Sequence, residues 1–489
     1  MTQIASAIFN AKGHAGSGDE YQVYNPATEE VVATFHDADS ALVDATVKAA
    51  RAAFRSGVWS RASVADRQAQ MRKIADVVEA HAEELAGLET SNTGLVKHQV
   101  QMRHVTRAAY NFRFFADYIG QVQDPLYDQD PQFLTFVRRA PVGVAALIAP
   151  WNAPIALGSM KIAASIAFGN SCVIKPSEQA PLSIVKLVEL MTQAGLPENV
   201  VNLVNGRGHT TGDMLVRHDD VDVVSFTGGT STGKLIMSAA GAGLKPSTME
   251  LGGKSANVIF DDADLDRALD GALLGILSNN GQQCLAGSRI LVQQSIADDF
   301  IKAFIERMEK VRIGDPLDPS TQIGPLASAP HRDRVLSFIE TGESEGATLL
   351  GGGGRPHGFD KGYYINPIAM MAKSNDSKLC QQEIFGPFAA FLTFKDDDEA
   401  YALANGTDFG LVSYIWSQNI DRIMRAQDEL YSGVVWINTP MMRELRAPFG
   451  GYGASGVGAE GGDACQALYT RQKTVTLPRQ SMPLEKWGA

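Results

Sequence analysis

The chain has 489 residues, a formal net charge of −12 and 45% apolar residues. That length exceeds what one hydrophobic core serves, so two or three domains are expected. The acidic balance argues against nucleic-acid or membrane-surface partners, both of which want a basic face. The four cysteines, Cys172, Cys284, Cys380 and Cys465, form no C-x-x-C pair and no cluster with the nine histidines. Neither a disulfide framework nor a metal site is expected, and a reducing cytoplasm fits. Residues 1–18 lack a basic start followed by an apolar stretch, so no secretory signal is expected. The most apolar region, 142–169, is interrupted by Trp151, Asn152, Pro154 and Lys161. It reads as buried strand and helix, not as a membrane span.

Apolar residues at helical spacing predict surface helices over 40–54 and 67–91. A third helix is expected over 98–119, with Val105, Ala109, Phe112, Ala116 and Ile119 on its core stripe and Arg103, Arg107 and Arg113 off it. Pro125 and Pro131 then interrupt the chain, and 133–138 alternates as an exposed or edge strand would, in an arm or hairpin. Short apolar runs at 142–148, 171–174, 200–204 and 221–226 alternate with helical patterns at 155–168 and 184–194, which predicts a parallel sheet. A second set of runs at 256–260, 289–292, 411–415 and 433–437 implies a second α/β domain. The glycine cluster 351–354 and the polar stretch 373–377 read as loops. The alternation at 473–477 predicts a last strand, added to a sheet or to a partner subunit.

Two segments carry chemistry at once. Cys284 ends Asn280-Gly281-Gln282-Gln283-Cys284, and Glu250 opens Glu250-Leu251-Gly252-Gly253-Lys254. A thiol attacks an electrophilic carbon, and a carboxylate deprotonates the thiol or the water that later releases the product. In Phe226-Thr227-Gly228-Gly229 the chain passes from a strand toward a helix, a place for backbone N–H groups to meet a phosphate, although neither dinucleotide nor P-loop spacing is present. Lys175-Pro176-Ser177-Glu178 ends another strand at the carboxyl edge where α/β sheets bind ligands. There Glu178 can accept from ribose hydroxyls and would repel a 2′-phosphate, favouring NAD over NADP.

Taken in order, Ala149-Pro150-Trp151-Asn152-Ala153-Pro154, Lys175-Pro176-Ser177-Glu178, Phe226-Thr227-Gly228-Gly229, Glu250-Leu251-Gly252-Gly253-Lys254, Gly281-Gln282-Gln283-Cys284 and Glu383-Ile384-Phe385-Gly386-Pro387 resemble the NAD(P)-dependent aldehyde dehydrogenase superfamily. The resemblance implies a Rossmann-like cofactor domain (1–120 and 141–252, with 453–468), an α/β catalytic domain (253–452) and a small β oligomerisation arm (121–140 and 469–489). It also implies homodimers or homotetramers. It makes Cys284 the nucleophile, Glu250 the general base and Asn152 the oxyanion donor. NAD is placed against Trp151, Lys175, Ser177, Glu178, Gly208, Phe226, Thr227, Gly228, Gly229, Leu251, Gly252, Glu383 and Phe385. The sequence departs from the family pattern at Gly229, where many relatives carry serine, and at Phe388, where valine is commoner. It departs again at Gly453 and Ala459, where lysine and arginine are usual.

The segments Asn111-Phe112-Arg113-Phe114-Phe115-Ala116 and Met442-Arg443-Glu444-Leu445-Arg446-Ala447 resemble the branch that oxidises hydroxymuconic-type semialdehydes of aromatic-compound catabolism. Such substrates end in a carboxylate, which arginine binds bidentately. Arg113 and Arg446 are therefore the expected grips, with Arg443 as substitute. The alternatives are a broad-specificity aliphatic or aromatic aldehyde dehydrogenase, a CoA-acylating dehydrogenase, and an inactive structural relative.

Overall fold

A computed structural model describes residues 2–481 and 483–488. Met1, Met482 and Ala489 fall within the expected ranges 1–120 and 469–489 and lie outside the described residues. Two large sheets organise the chain. The first has eight strands, and its parallel centre runs in the order Ser247–Glu250, Val223–Thr227, Val144–Ile148, Ser171–Lys175, Val201–Val204. In these strands alternate residues serve opposite cores: Ala145, Leu147, Cys172 and Ile174 pack on one face, and Val144, Ala146, Ile148 and Val173 on the other. Burial on both faces is why the runs read as continuously apolar. Of these five parallel strands the first in chain order, Val144–Ile148, lies between later neighbours on either side, so a crevice opens at its carboxyl end.

The second sheet has seven strands, in the order Thr348–Gly352, Ile368–Met371, Phe388–Phe394, Arg289–Gln293, Ala256–Ile259, Val412–Trp416, Val434–Ile437. It is parallel except for its Thr348–Gly352 edge, and apolar cores cover both faces. Phe133–Pro141 pairs antiparallel with Thr470–Pro478 and with Leu126–Tyr127 in a separate three-stranded sheet. The 473–477 alternation thus completes a sheet within its own chain. Among the described residues, no helix is long and apolar enough to cross a membrane.

Three expectations need correction. The helix over 67–91 is two helices, Val64–Ala80 and Ala82–Thr93, because the His81 ring donates to the Val77 carbonyl at 2.9 Å and the chain turns there. The helix over 98–119 contains a wider-wound stretch, Val100–Val105, before it becomes regular at Thr106–Tyr118. Gly351 and Gly352 belong to the edge strand, so only Gly353 and Gly354 of the glycine cluster are loop.

Candidate active site

The crevice is built from strand ends. After Val144–Ile148 the chain turns through Trp151 and Asn152 and enters the helix Pro154–Ala167, where Pro154 supplies a preset φ at a position that needs no donor. Asn152 is buried, and its Nδ2 donates to the Gln282 carbonyl at 2.8 Å, which ties this loop to the cysteine loop. After Val223–Thr227, Gly228 donates its N–H to the Glu250 carbonyl at 3.0 Å, and the helix Thr230–Ala242 begins with its free N–H groups toward the cleft.

Glu250 ends the strand Ser247–Glu250, and the glycines after it are demanded by close approach. A Cβ on Gly252 would collide with the Glu383 carboxylate, and one on Gly253 would lie 2.5 Å from the Cys284 carbonyl oxygen. The passage can hold a carboxylate and a thiol together only without side chains of its own. The cysteine loop is pinned by its asparagines. Asn279 and Asn280 adopt φ of 57°, and the Asn280 amide donates to the Gly94 and Pro325 carbonyls while accepting from the Gly324 N–H. Such φ values are tolerated by asparagine better than by most residues.

Two cavities meet at Cys284. A cleft of about 660 Å³ is lined by Trp151, Asn152, Thr227, Gly228, Gly229, Leu251, Gly252, Glu383 and Phe385 and reaches Cys284 from one side. A chamber of about 470 Å³ reaches Cys284 and Asn152 from the other, between Val100, Arg103, Leu274, Ser278 and Met441. Phe226 is buried behind the cleft against Gly228. Lys175, Ser177 and Glu178 stand two strands from Thr227 at the same carboxyl edge, and Gly208 follows the next strand beyond. Lys175 is buried, donates to the Pro176 carbonyl at 3.0 Å and lies 3.6 Å from the Glu178 carboxylate.

Electrostatics separate the groups. Burial pushes the Cys284 thiol up to about 12, helped by the Glu383 and Glu250 charges, while the N–H groups of Cys284 and Leu285 pull it back. Glu250 is raised well above the carboxylate range by burial first and then by Glu460; Lys161 and Arg443 oppose this. Both Glu250 carboxylate oxygens are buried without a hydrogen-bond partner among the described residues. Glu460 is itself held by Lys161, whose Nζ donates to it at 2.7 Å and to Ser225 Oγ at 2.9 Å. Glu383 is raised to about 7 by burial, despite accepting from the Gly253 N–H at 2.9 Å.

The model of the aldehyde dehydrogenase family matches residues 14–475 of this sequence. The chain belongs to the aldehyde dehydrogenase family. Aldehyde dehydrogenase relatives include 5-carboxymethyl-2-hydroxymuconate semialdehyde dehydrogenase of Escherichia coli, 44% identical over 93% of this chain and 96% of that protein. Betaine aldehyde dehydrogenase of Brucella anthropi is 40% identical over 94% of each. The NAD+ complex of an aldehyde dehydrogenase from Bacillus cereus superposes with a TM-score of 0.95 at 38% identity, covering 98% of this chain and 97% of that one. The aldehyde dehydrogenase fold expected from the motifs is therefore the fold observed.

The three arginines expected as substrate grips sit in different surroundings. Arg113 points away from the chamber and pairs with Asp76 at 2.9 Å and Glu79 at 2.5 Å on the neighbouring helix Val64–Ala80. Arg446 is exposed and forks onto Glu444 at 3.0 and 2.9 Å. Both engage local carboxylates, and neither lines the two cavities. Arg443 is largely buried, stacks 4.3 Å from the Phe449 ring centroid, and feels the charges of Glu460, Glu250 and Cys284. Arg107 was not among the expected grips. It is largely buried beside Arg443, donates from Nε to Asn111 Oδ1 at 2.8 Å, and is held down to about 10 by burial and then by Arg443. Arg103, four residues earlier in the wider-wound stretch, lines the chamber, whereas Arg107 itself does not.

Proposed function

We propose that this aldehyde dehydrogenase converts a carboxylate-bearing aldehyde to the carboxylic acid, with NAD, through a thioester on Cys284. The observation that carries the substrate class is the half-buried pair Arg107 and Arg443, two like charges of which Arg443 feels Glu250 and Cys284. Glu460, the carboxylate that acts most strongly on Arg443, is already engaged by Lys161. Two desolvated cations side by side are costly unless an anion completes them. A substrate carboxylate bound by both would place its aldehyde end toward Cys284.

The cleft side fits a dinucleotide. Thr227 Oγ1 is a buried hydroxyl without a partner, Gly229 leaves open space where a side chain would stand, and the Glu383 carboxylate leans into the cleft over Gly252. Thr227 and the helix N-terminus at Gly229 would hold the pyrophosphate, Trp151 and Phe385 would wall the cleft, and Leu251 and Gly252 would floor it. Lys175 and Glu178 would take the adenosine ribose beside Ser177 and Gly208, with Phe226 behind, and Glu383 the second ribose. NAD, when bound, supplies the hydride acceptor.

The protein's own groups do the rest. The Cys284 sulfur, once deprotonated, adds to the aldehyde carbon, and the carbonyl oxygen becomes an oxyanion. The Asn152 Nδ2–H and the Cys284 N–H would be the donors that meet it. Departure of hydride from that carbon re-forms the carbonyl and leaves a thioester. Glu250 takes a proton from water, the hydroxide attacks the thioester, and the Cys284 thiolate leaves. Glu250 would serve this step, since among the described residues nothing hydrogen-bonds to its two oxygens. Its presence favours hydrolysis over transfer to coenzyme A.

We assign 1–120 and 141–252, with 453–468, to cofactor binding, 253–452 to catalysis, and 121–140 with 469–489 to an arm that joins subunits in a homodimer or homotetramer. A cytoplasmic site fits four cysteines that are all unpaired. The reading is tested by NAD reduction with carboxylate-bearing and neutral aldehydes, using the wild type, Arg107→Gln and Arg443→Gln. A loss confined to the carboxylate-bearing substrates supports it, and equal loss on both classes overturns it.

A further inference from the structure

Beyond the chamber lies a second groove of about 460 Å³, between the helix Leu265–Leu277 and the residues that follow the helix Ala297–Met308. It shares Gln99, Arg103, Leu274 and Ser278 with the chamber that contains Asn152 and Cys284, so the two spaces adjoin. Its floor is apolar, with Leu273, Leu277, Val311 and Ile323. Its rim carries four cations, Arg103, Arg307, Lys310 and Arg312, against one carboxylate, Asp270, which Arg307 already engages.

The remaining three cations lack acidic partners among the described residues. Arg103 donates to the Ser278 hydroxyl at 3.3 Å and Arg312 to the Ser320 carbonyl at 2.7 Å, both neutral acceptors, and Lys310 forms no ion pair. All three are exposed. In a chain of net charge −12 a local excess of positive charge at the outer end of the chamber runs against the background. A cleft lined by one sign of charge focuses the field and concentrates the opposite ion there.

We propose that this groove is the entry site for anionic aldehydes: Lys310 and Arg312 hold an incoming carboxylate at the rim, and Arg103 hands it toward the chamber. The apolar floor carries the substrate's carbon skeleton inward. The inference rests on the reading that the substrate bears a carboxylate, and it adds where selection begins. Neutral aldehydes cross the same groove without assistance.

The test uses the full-length enzyme and a Lys310→Gln, Arg312→Gln double variant, with succinic semialdehyde and propionaldehyde as probes. For the wild type, kcat/KM on the anionic probe falls about tenfold between low and high ionic strength, the behaviour of steered association. The double variant at low ionic strength shows about a tenfold lower kcat/KM on that probe and a flattened salt dependence, with kcat unchanged and propionaldehyde unaffected. An unaltered salt dependence in the double variant, or none in the wild type, overturns the entry site. Failure of the inner arginine pair is distinguished by Arg107→Gln and Arg443→Gln. If those variants keep the preference for the anionic probe while the rim variant loses its salt dependence, the inner pair is wrong and the entry site stands.

Discussion

Replacing Arg107 by glutamine should weaken the enzyme toward its own substrate class while making the fold no less stable. Arg107 is held down to about 10 by burial and by Arg443, which places a penalty on the order of 3 kcal/mol on its charged form. Because the charged form is the one disfavoured in the folded protein, that cost is present throughout the range below about 10. It fades only above it. Glutamine removes the charge, so the thermal midpoint should rise by about 1–4 °C, less whatever the lost bond to Asn111 returns. Substrate binding moves the opposite way. A buried charge-assisted contact to a carboxylate contributes about 2–3 kcal/mol, so kcat/KM for a carboxylate-bearing aldehyde should fall about 30- to 150-fold. Neutral aldehydes should stay within about twofold. The assay is NADH absorbance over a substrate series, with calorimetry on the same preparations. A lowered midpoint with equal losses on both substrate classes would show that Arg107 is structural, and the argument from an incomplete charge pair would fall.

The remaining outcomes concern the chemical centre. Asn152→Ala removes a side-chain donor placed for the developing oxyanion, so the rate of the NADH burst should drop by about 10²- to 10³-fold with NAD affinity retained; an unchanged burst rate would remove Asn152 from that role. Glu383, raised to about 7, is protonated below that pH and ionised above it, and only the ionised form accepts from both hydroxyls of a ribose. The KM for NAD should therefore fall as pH rises through about 7, and Glu383→Gln should abolish that step. A pH step surviving in the variant would assign it to another group.

The proposed catalytic residues were readable because Asn152 follows a strand, Glu250 ends one and Cys284 lies in a loop ahead of one, each within a few residues of proline or glycine. Pro154 stops the turn after Asn152, Pro176 follows Lys175, and the glycines after Thr227 and Glu250 exist to let other groups come near. Such punctuation survives in a bare sequence. What it omits is rotation. Arg113 lies six residues after Arg107, about 240° farther round the helix, and so faces Asp76 and Glu79 on Val64–Ala80 instead of the chamber. Arg443 and Arg446 flank the buried Leu445 in a segment with no helical or strand periodicity, so no spacing rule says which turns inward. The break at His81 comes from a ring nitrogen taking a helix carbonyl, with neither glycine nor proline to announce it. The strands Ala7–Phe9 and Lys12–His14 escaped because they are short and are joined by Asn10 and Ala11 at φ of 51° and 55°, a pair without the usual glycine.

Covalent catalysis with Glu250 as the deacylating base is the claim on which the rest depends. Its most direct measurement is rapid mixing of Glu250→Gln with NAD and a carboxylate-bearing aldehyde, following NADH before and after the first turnover. The account predicts a burst near one equivalent per active site, followed by steady turnover reduced by at least about 100-fold. Steady turnover equal to that of the wild type would contradict it.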